Sequence, residues 1–181
     1  MTARIAPAQP PFPAEIRQRF DRVMPKGVPP LTLFTTLARD ERLFARFSGG
    51  SLLSPGHLTL RQREIVIDRI TALAGSEYEW GVHVTFFGNA AELTEAQIRS
   101  LVKGGADDLI WTEEERALLR ACDQLHTSCD LDDACWQALR THFSEEAILE
   151  ILMLAGFYRM VSYLTNALRL PLETYAARFP A

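Results

Sequence analysis

Cysteine is scarce in this chain. Three thiols, Cys122, Cys129 and Cys135, are spread over 181 residues at spacings C-x6-C and C-x5-C. Neither spacing is that of a redox pair or a zinc site, and an odd, sparse set suits a reducing compartment better than a disulfide framework. Runs of basic residues are missing, and the net charge is −4, which argues against a nucleic-acid partner. The N-terminal stretch MTARIAPAQPPFPAEIRQRF has no apolar segment of the kind a signal peptide needs. The longest apolar run, AILEILMLAGFY, is broken by Glu150 and is short for a bilayer span. Strand alternation and hairpin turns are absent as well. These gaps leave an all-α, cytoplasmic protein with no membrane partner as the expectation.

What is present is helical periodicity behind a proline-rich start. Residues 1–30 hold seven of the ten prolines. They read as an arm with one short helix, marked by Ile16, Phe20 and Val23, that lies over its own domain or over a neighbouring subunit. Residues 31–181 read as one helical domain of seven or eight helices. LTLFTTLARDERLFARFSGG reads as one helix with Leu33, Leu37, Leu43 and Phe47 inward and a Gly-Gly stop. TLRQREIVIDRITALAG runs from a Thr59 cap to Gly75, with Leu60, Ile67, Ile70, Leu73 and Ala74 inward. Further helices start at the Thr94 and Thr112 caps. DDACWQALRTHF and SEEAILEILMLAGFYRMVSYLTNALRL complete the set. In the last of these Phe157, Met160 and Leu164 stand at core spacing.

One echo runs through this pattern. Displacing the sequence by 81 positions lays Glu64–Gly75, EIVIDRITALAG, over Glu145–Gly156, EEAILEILMLAG, with matches at the glutamate, both isoleucines, the leucine, the alanine and the glycine. The match suggests two similar helical hairpins packed together. Beyond the glycines the copies diverge, and only the first carries a polar cluster, SEYEWGVHV.

That cluster has two readings. Ser76-x-x-Glu79 is the pattern of a capping box. Glu79 and His83, spaced i,i+4, then form a surface pair worth ~0.2–0.5 kcal/mol. The other reading follows if Gly75 reverses the chain. At ~1.5 Å per residue, Glu64 then lies ~16 Å and His83 ~12 Å from the turn, nearly level on antiparallel helices. In one continuous helix they would be ~28 Å apart. A carboxylate and an imidazole brought together beside apolar neighbours have coupled, shifted proton affinities, as general acid–base chemistry requires.

On these residues the chain resembles the carboxymuconolactone decarboxylase and AhpD-like alkylhydroperoxidase superfamily. The resemblance extends from about Leu31 through AGFYRMVSYLTNALRLPLE. It implies an AhpD-like all-α domain of repeated antiparallel helix hairpins, and homo-oligomers: dimers, trimers or hexamers. In the peroxidase branch a Glu precedes C-x-x-C-x-x-x-H. The Glu falls on Glu64 and the His on His83. The two thiols fall on Ser76 and Glu79, neither of which can form a disulfide. The decarboxylase branch works on a small lactone acid by acid–base groups, with neither metal nor organic cofactor. The resemblance therefore implies a carboxymuconolactone decarboxylase-like enzyme acting on a small organic acid, lactone or related carbonyl compound. Glu64, Glu79 and His83 are its expected catalytic residues, and Ser76 and Tyr78 line its substrate pocket. The competing readings are a peroxidase or disulfide reductase using the other cysteines, and a non-enzymatic oligomeric scaffold. The scaffold requires Glu64, Glu79 and His83 to be exposed and mutually distant.

The remaining candidates are weaker. Two carboxylates and one imidazole suit iron, manganese or zinc, but no second histidine accompanies them, and no metal is assigned. Trp80 reads as a core or interface aromatic. Arg159, Tyr163 and Asn166 on the second copy suit either a carboxylate substrate or an ion pair. Cys122 reads as core beside Leu118, Leu119 and Leu125.

Overall fold

The computed structural model describes residues 3–181, and among these residues nine α-helices and no strand are found. They are α1 Ala14–Val23, α2 Thr32–Leu37, α3 Glu41–Gly49, α4 Leu60–Leu73, α5 Glu77–Phe87, α6 Glu95–Lys103, α7 Glu113–Ser128, α8 Asp133–His142 and α9 Glu145–Ala167. The central element is α4, which packs against α5, α6, α7 and α9. Every residue from Glu64 to Thr71 is buried, polar and apolar alike. Capping boxes at Thr59, Thr94 and Thr112 start α4, α6 and α7. In each, the threonine hydroxyl takes one orphan amide and the side chain three residues on takes another.

The α4–α5 hairpin turns at Gly75, whose φ is +65°. The Ser76 amide donates to Thr71 O at 2.8 Å and the Gly75 amide to Ala72 O at 2.9 Å. This is a Schellman ending, which needs a residue in the left-handed region, and glycine enters it without strain. Its equivalent in the echo behaves differently. Gly156 is an interior residue of α9, which continues unbroken for 23 residues. The second copy is therefore a long helix packed on α4, and Gly156 does not turn the chain.

Two sequence expectations are corrected in the N-terminal third. The segment read as one helix is two, because Asp40 stops the first and caps the second, accepting from Leu43 N at 2.9 Å. The break changes the register, so Phe44 enters the core and Leu43 is exposed. Ahead of it, the arm lies on its own domain. Arg4 N donates to Leu168 O at 2.8 Å and Ala8 N to Thr35 O at 3.0 Å. Ile16 and Phe20 of α1 form a satellite core with Phe44.

Helix α9 is long and apolar enough, by length and composition, to cross a membrane, contrary to the reading of its sequence as too short. In the fold its Ile148, Ile151, Leu154, Tyr158 and Val161 are buried in the main core. Met160, expected inside, is exposed.

Candidate active site

The reversal at Gly75 sets α4 and α5 side by side and brings Glu64 and His83 into contact. His83 Nδ1 donates to Glu64 Oε2 at 2.8 Å. Its other nitrogen, Nε2, lies 3.5 Å from Glu79 Oε1, one helical turn back on α5. Glu64 is 0%, His83 3% and Glu79 6% exposed. The second oxygen of Glu64 accepts from Arg63 Nε at 3.1 Å, and Arg63 also donates to Leu53 O at 2.8 Å. Glu79 Oε2 is buried without a partner.

This sandwich governs the proton on the imidazole. Burial alone drives His83 toward the neutral form. The charge and hydrogen bond of Glu64, joined by those of Glu79, overcome it and raise its pKa to about 10. At neutral pH His83 is therefore an imidazolium, a proton donor held between two carboxylates.

A cavity of about 370 Å³ opens over this pair. Glu79 and His83 form its polar end, and Phe34, Phe47, Phe86, Phe87, Phe157 and Tyr158 supply most of its wall. The arm completes it with Arg22, Val23, Met24 and Pro25. Tyr158 meets the His83 ring edge-on, with centroids 4.9 Å apart. Burial first, and then the charges of Glu79 and Glu64, push its phenol far up, so it stays protonated.

Ser76 and Tyr78, expected at the substrate pocket, do not line this cavity. Ser76 is fully buried, and its hydroxyl shares a 2.8 Å hydrogen bond with Thr165 Oγ1 of α9. It makes no capping bond to α5, so the capping box is not formed. The packing of α9 on the turn explains this, because a hydroxyl enclosed there needs a partner, and Thr165 provides one. The Tyr78 hydroxyl points to the start of α2 instead. It donates to Glu173 Oε1 at 2.5 Å and accepts from Leu33 N at 3.1 Å. Glu173 Oε1 also accepts from Thr32 N at 2.6 Å. No side chain at Leu31 caps α2, so Tyr78 and Glu173 satisfy its first amides from across the molecule. Trp80 is a core residue, packed on Phe179 at 5.1 Å between ring centroids.

Arg159, Tyr163 and Asn166 stand apart from the cluster, beside a different groove. Arg159 donates to His126 Nδ1 and, at 3.2 Å, to Tyr163 Oη, while Asn166 donates to Ala74 O at 2.9 Å. Among the described residues no group of three or more His, Cys, Asp and Glu side chains has the geometry to hold a metal ion.

Sequence reasoning passed over Asp68, Tyr158 and the arm's share of the cavity. Asp68 follows Glu64 by one turn, is fully buried, and has neither oxygen bonded. Burial, then the charges of Glu64 and Glu79 against the opposing His83, hold its carboxyl well above the usual carboxylate range. The i,i+4 spacing from Glu64 was the signal available. Tyr158 was marked only by its place three residues before Val161 and four after Leu154, on the apolar face of α9.

Residues 41–123 match the carboxymuconolactone decarboxylase family. That span contains Glu64, Glu79 and His83. This match, together with the shared fold, supports membership of the carboxymuconolactone decarboxylase and AhpD-like superfamily, in a form without the C-x-x-C pair. Solved structures share its fold. An uncharacterized peroxidase-related protein from Silicibacter sp. TM1040 superposes with a TM-score of 0.83 at 18% identity, over 99% of this chain and 96% of that one. An uncharacterized peroxidase-related protein from Ralstonia eutropha JMP134, described as an alkylhydroperoxidase AhpD core, gives 0.77 at 22% identity, over 94% and 93%. The debrominase Bmp8, as a cysteine-to-alanine variant with 2,3,4-tribromopyrrole, gives 0.72 at 18% identity, over 97% and 94%. No curated protein matches the chain. In this superfamily setting, the two positions where the peroxidase branch keeps its thiols hold a packing serine and a site carboxylate. Cys122 and Cys135 are buried in α7 and α8, Cys129 is exposed, and none of the three lines the cavity.

Proposed function

We propose that the chain is an acid–base enzyme of the decarboxylase type, acting on a small organic acid, lactone or related carbonyl compound. The observation that carries this reading is His83, held between two buried carboxylates and lining an aromatic-walled cavity. The substrate enters with its flat, apolar part among the phenylalanines. A volume of about 370 Å³ limits it to a small molecule. The apolar wall strips water from a substrate carboxylate, which favours its loss as CO2. The C–C bond breaks, its electron pair remains on the substrate carbon, and the neighbouring carbonyl spreads that charge as an enolate. His83 Nε2 gives its proton to that carbon and recovers one from solvent. Glu64 fixes the ring and compensates its charge. The free oxygen of Glu79 accepts a substrate hydroxyl or takes the proton in the reverse direction.

The geometry weighs against both competing readings. The scaffold reading required an exposed and dispersed cluster, whereas the three side chains are buried and adjacent. The thiol reading lacks a cysteine in the cavity. The test is a panel of small oxo acids, unsaturated lactone acids and hydroperoxides, with CO2 release and product mass as readouts. His83→Ala should abolish turnover of whichever carbonyl substrate is found while the helical spectrum is retained. Unchanged turnover sinks the assignment.

A further inference from the structure

Tyr158 borders the cavity and has no task inside the fold. It comes from α9 and lies outside residues 41–123, the span matched to the family. The side chain is 2% exposed, yet its hydroxyl is in no hydrogen bond with any described residue. Tyrosine hydroxyls normally find a partner when the ring is buried. Tyr78 does so, spending its hydroxyl on Leu33 N and Glu173. The Tyr158 oxygen is not sealed into the packing either, as Glu79 Oε2 and Trp80 Nε1 are. The space open to it is the cavity.

The other neutral hydroxyls on that wall are committed. Ser48 Oγ donates to Phe44 O at 2.8 Å, and Ser51 Oγ to Ser48 O at 3.4 Å. Arg22 is a further donor, but it is exposed in the last turn of α1, where water competes for it. Tyr158 is left as the buried neutral donor, and it stands against the proton donor. Its ring meets that of His83 at 88°, with centroids 4.9 Å apart, and packs on Phe157 at 5.5 Å. One small molecule in the cavity can touch both groups.

Within the acid–base reading above, on which this step rests, we infer that Tyr158 is a catalytic residue whose phenol donates a hydrogen bond to the substrate carbonyl oxygen that becomes the enolate. As the bond to the departing carboxylate breaks, CO2 leaves and the electron pair passes into the carbonyl, whose oxygen gains the negative charge. Burial first, and then the charges of Glu79 and Glu64, hold the phenol's proton in place. Tyr158 therefore gives a hydrogen bond and no proton. The pair returns to carbon when that carbon takes the Nε2 proton of His83. The carbonyl is restored, and the imidazole is neutral until solvent returns its proton. A donor fixed in advance on a packed helix, in a cavity with apolar walls, needs no reorganisation as the charge develops.

The experiment uses acetophenone labelled with 13C at its carbonyl. It is a flat aromatic ketone with no carboxylate to lose, so it reports contact without turnover. Bound to the wild type, its carbonyl stretch should fall below the value in an apolar solvent. Tyr158→Phe should return it to that value, while styrene, which has no oxygen, binds both chains equally. His83→Ala should keep the lowered stretch, which separates this result from the fate of the proton donor. Because the hydroxyl has no partner in the fold, Tyr158→Phe should melt with the wild type. With a turned-over acid from the substrate panel, Tyr158→Phe should lower kcat on the order of a hundredfold and leave KM nearly unchanged. Failure of the wild type to bind acetophenone, a stretch equal in wild type and Tyr158→Phe, a lower Tm for that variant, or an unchanged kcat would each overturn the inference. A stretch that His83→Ala abolishes and Tyr158→Phe keeps would overturn it in favour of His83 as the donor. A panel without any carbonyl substrate fails the decarboxylase reading, and the acetophenone stretch still decides whether Tyr158 meets a bound carbonyl.

Discussion

Replacing Glu64 by glutamine tests the central electrostatic claim. Glutamine keeps the shape and a hydrogen-bonding oxygen beside His83 Nδ1 but removes the charge. In the wild type the His83 pKa is raised from 6.5 to about 10, with burial opposing and Glu64 and Glu79 prevailing. A histidine whose folded pKa lies above its unfolded value contributes stability fully below the unfolded pKa. It loses that contribution as pH rises through the folded one. Here the contribution is complete below about pH 6.5 and gone above about pH 10, with a ceiling on the order of 5 kcal/mol. Breaking a buried ion pair costs ~3–5 kcal/mol, and glutamine, by keeping a hydrogen bond, should cost somewhat less. For a chain of this size each kcal/mol moves Tm by ~2–4 °C, so Glu64→Gln should melt about 10 °C lower at pH 7. The difference should shrink as the pH approaches 10. The direct assay is an NMR titration of the imidazole protons. The wild-type His83 signal should stay in its protonated position through pH 8, and the variant should already be neutral at pH 7. A wild-type His83 that titrates near 6.5, or a variant whose melting curve tracks the wild type at every pH, would refute the argument.

Tyr78→Phe removes the phenol that satisfies Leu33 N and binds Glu173. It should cost ~1–3 kcal/mol in denaturant unfolding and leave turnover intact, whereas a residue at the substrate would cut turnover with little loss of stability. Burial first, and then the charge of Glu64, raise the Asp68 pKa well above its unfolded value of 3.8. That stabilises the fold relative to ionised surroundings below about pH 3.8 and is lost as pH rises. Asp68→Asn should therefore flatten the decline in Tm between about pH 4 and neutrality, and an unchanged slope would show that Asp68 is ionised in the fold. A chain with Cys122, Cys129 and Cys135 all replaced should keep its carbonyl turnover. Loss of turnover, with the helical spectrum intact, would return the thiols to the mechanism.

The helices and the hairpin were legible because each rests on local signals. Threonine caps three residues ahead of Gln or Glu, and a glycine at the end of α4, decide where the chain starts and turns within a few residues. The Glu64–His83 contact followed from helix rise alone once Gly75 was read as a reversal. The errors have the opposite character. Ser76-x-x-Glu79 is a sound local motif, but tertiary burial gave each member another partner, Thr165 and His83. The partner of Tyr78, Glu173, is 95 residues away in sequence. Gly156 matched Gly75 in the echo, and sequence identity alone does not tell a glycine that turns a helix from one that sits within it.

The fate of the two thiol positions links these observations to chemistry. A serine at position 76 that faced the cavity would have been a weaker nucleophile in the same place. The fold instead withdraws it, enclosing its hydroxyl against Thr165. The second position is kept in the site but changed in kind. Glu79 brings a carboxylate to the open side of His83 and leaves one oxygen free. Glu79 gives the Glu64–His83 pair a second anion, which raises the imidazole's hold on its proton. On this argument Glu79 belongs with His83 as one unit, so Glu79→Cys should lower the His83 pKa without restoring peroxide turnover, because its former partner position is buried and holds no thiol.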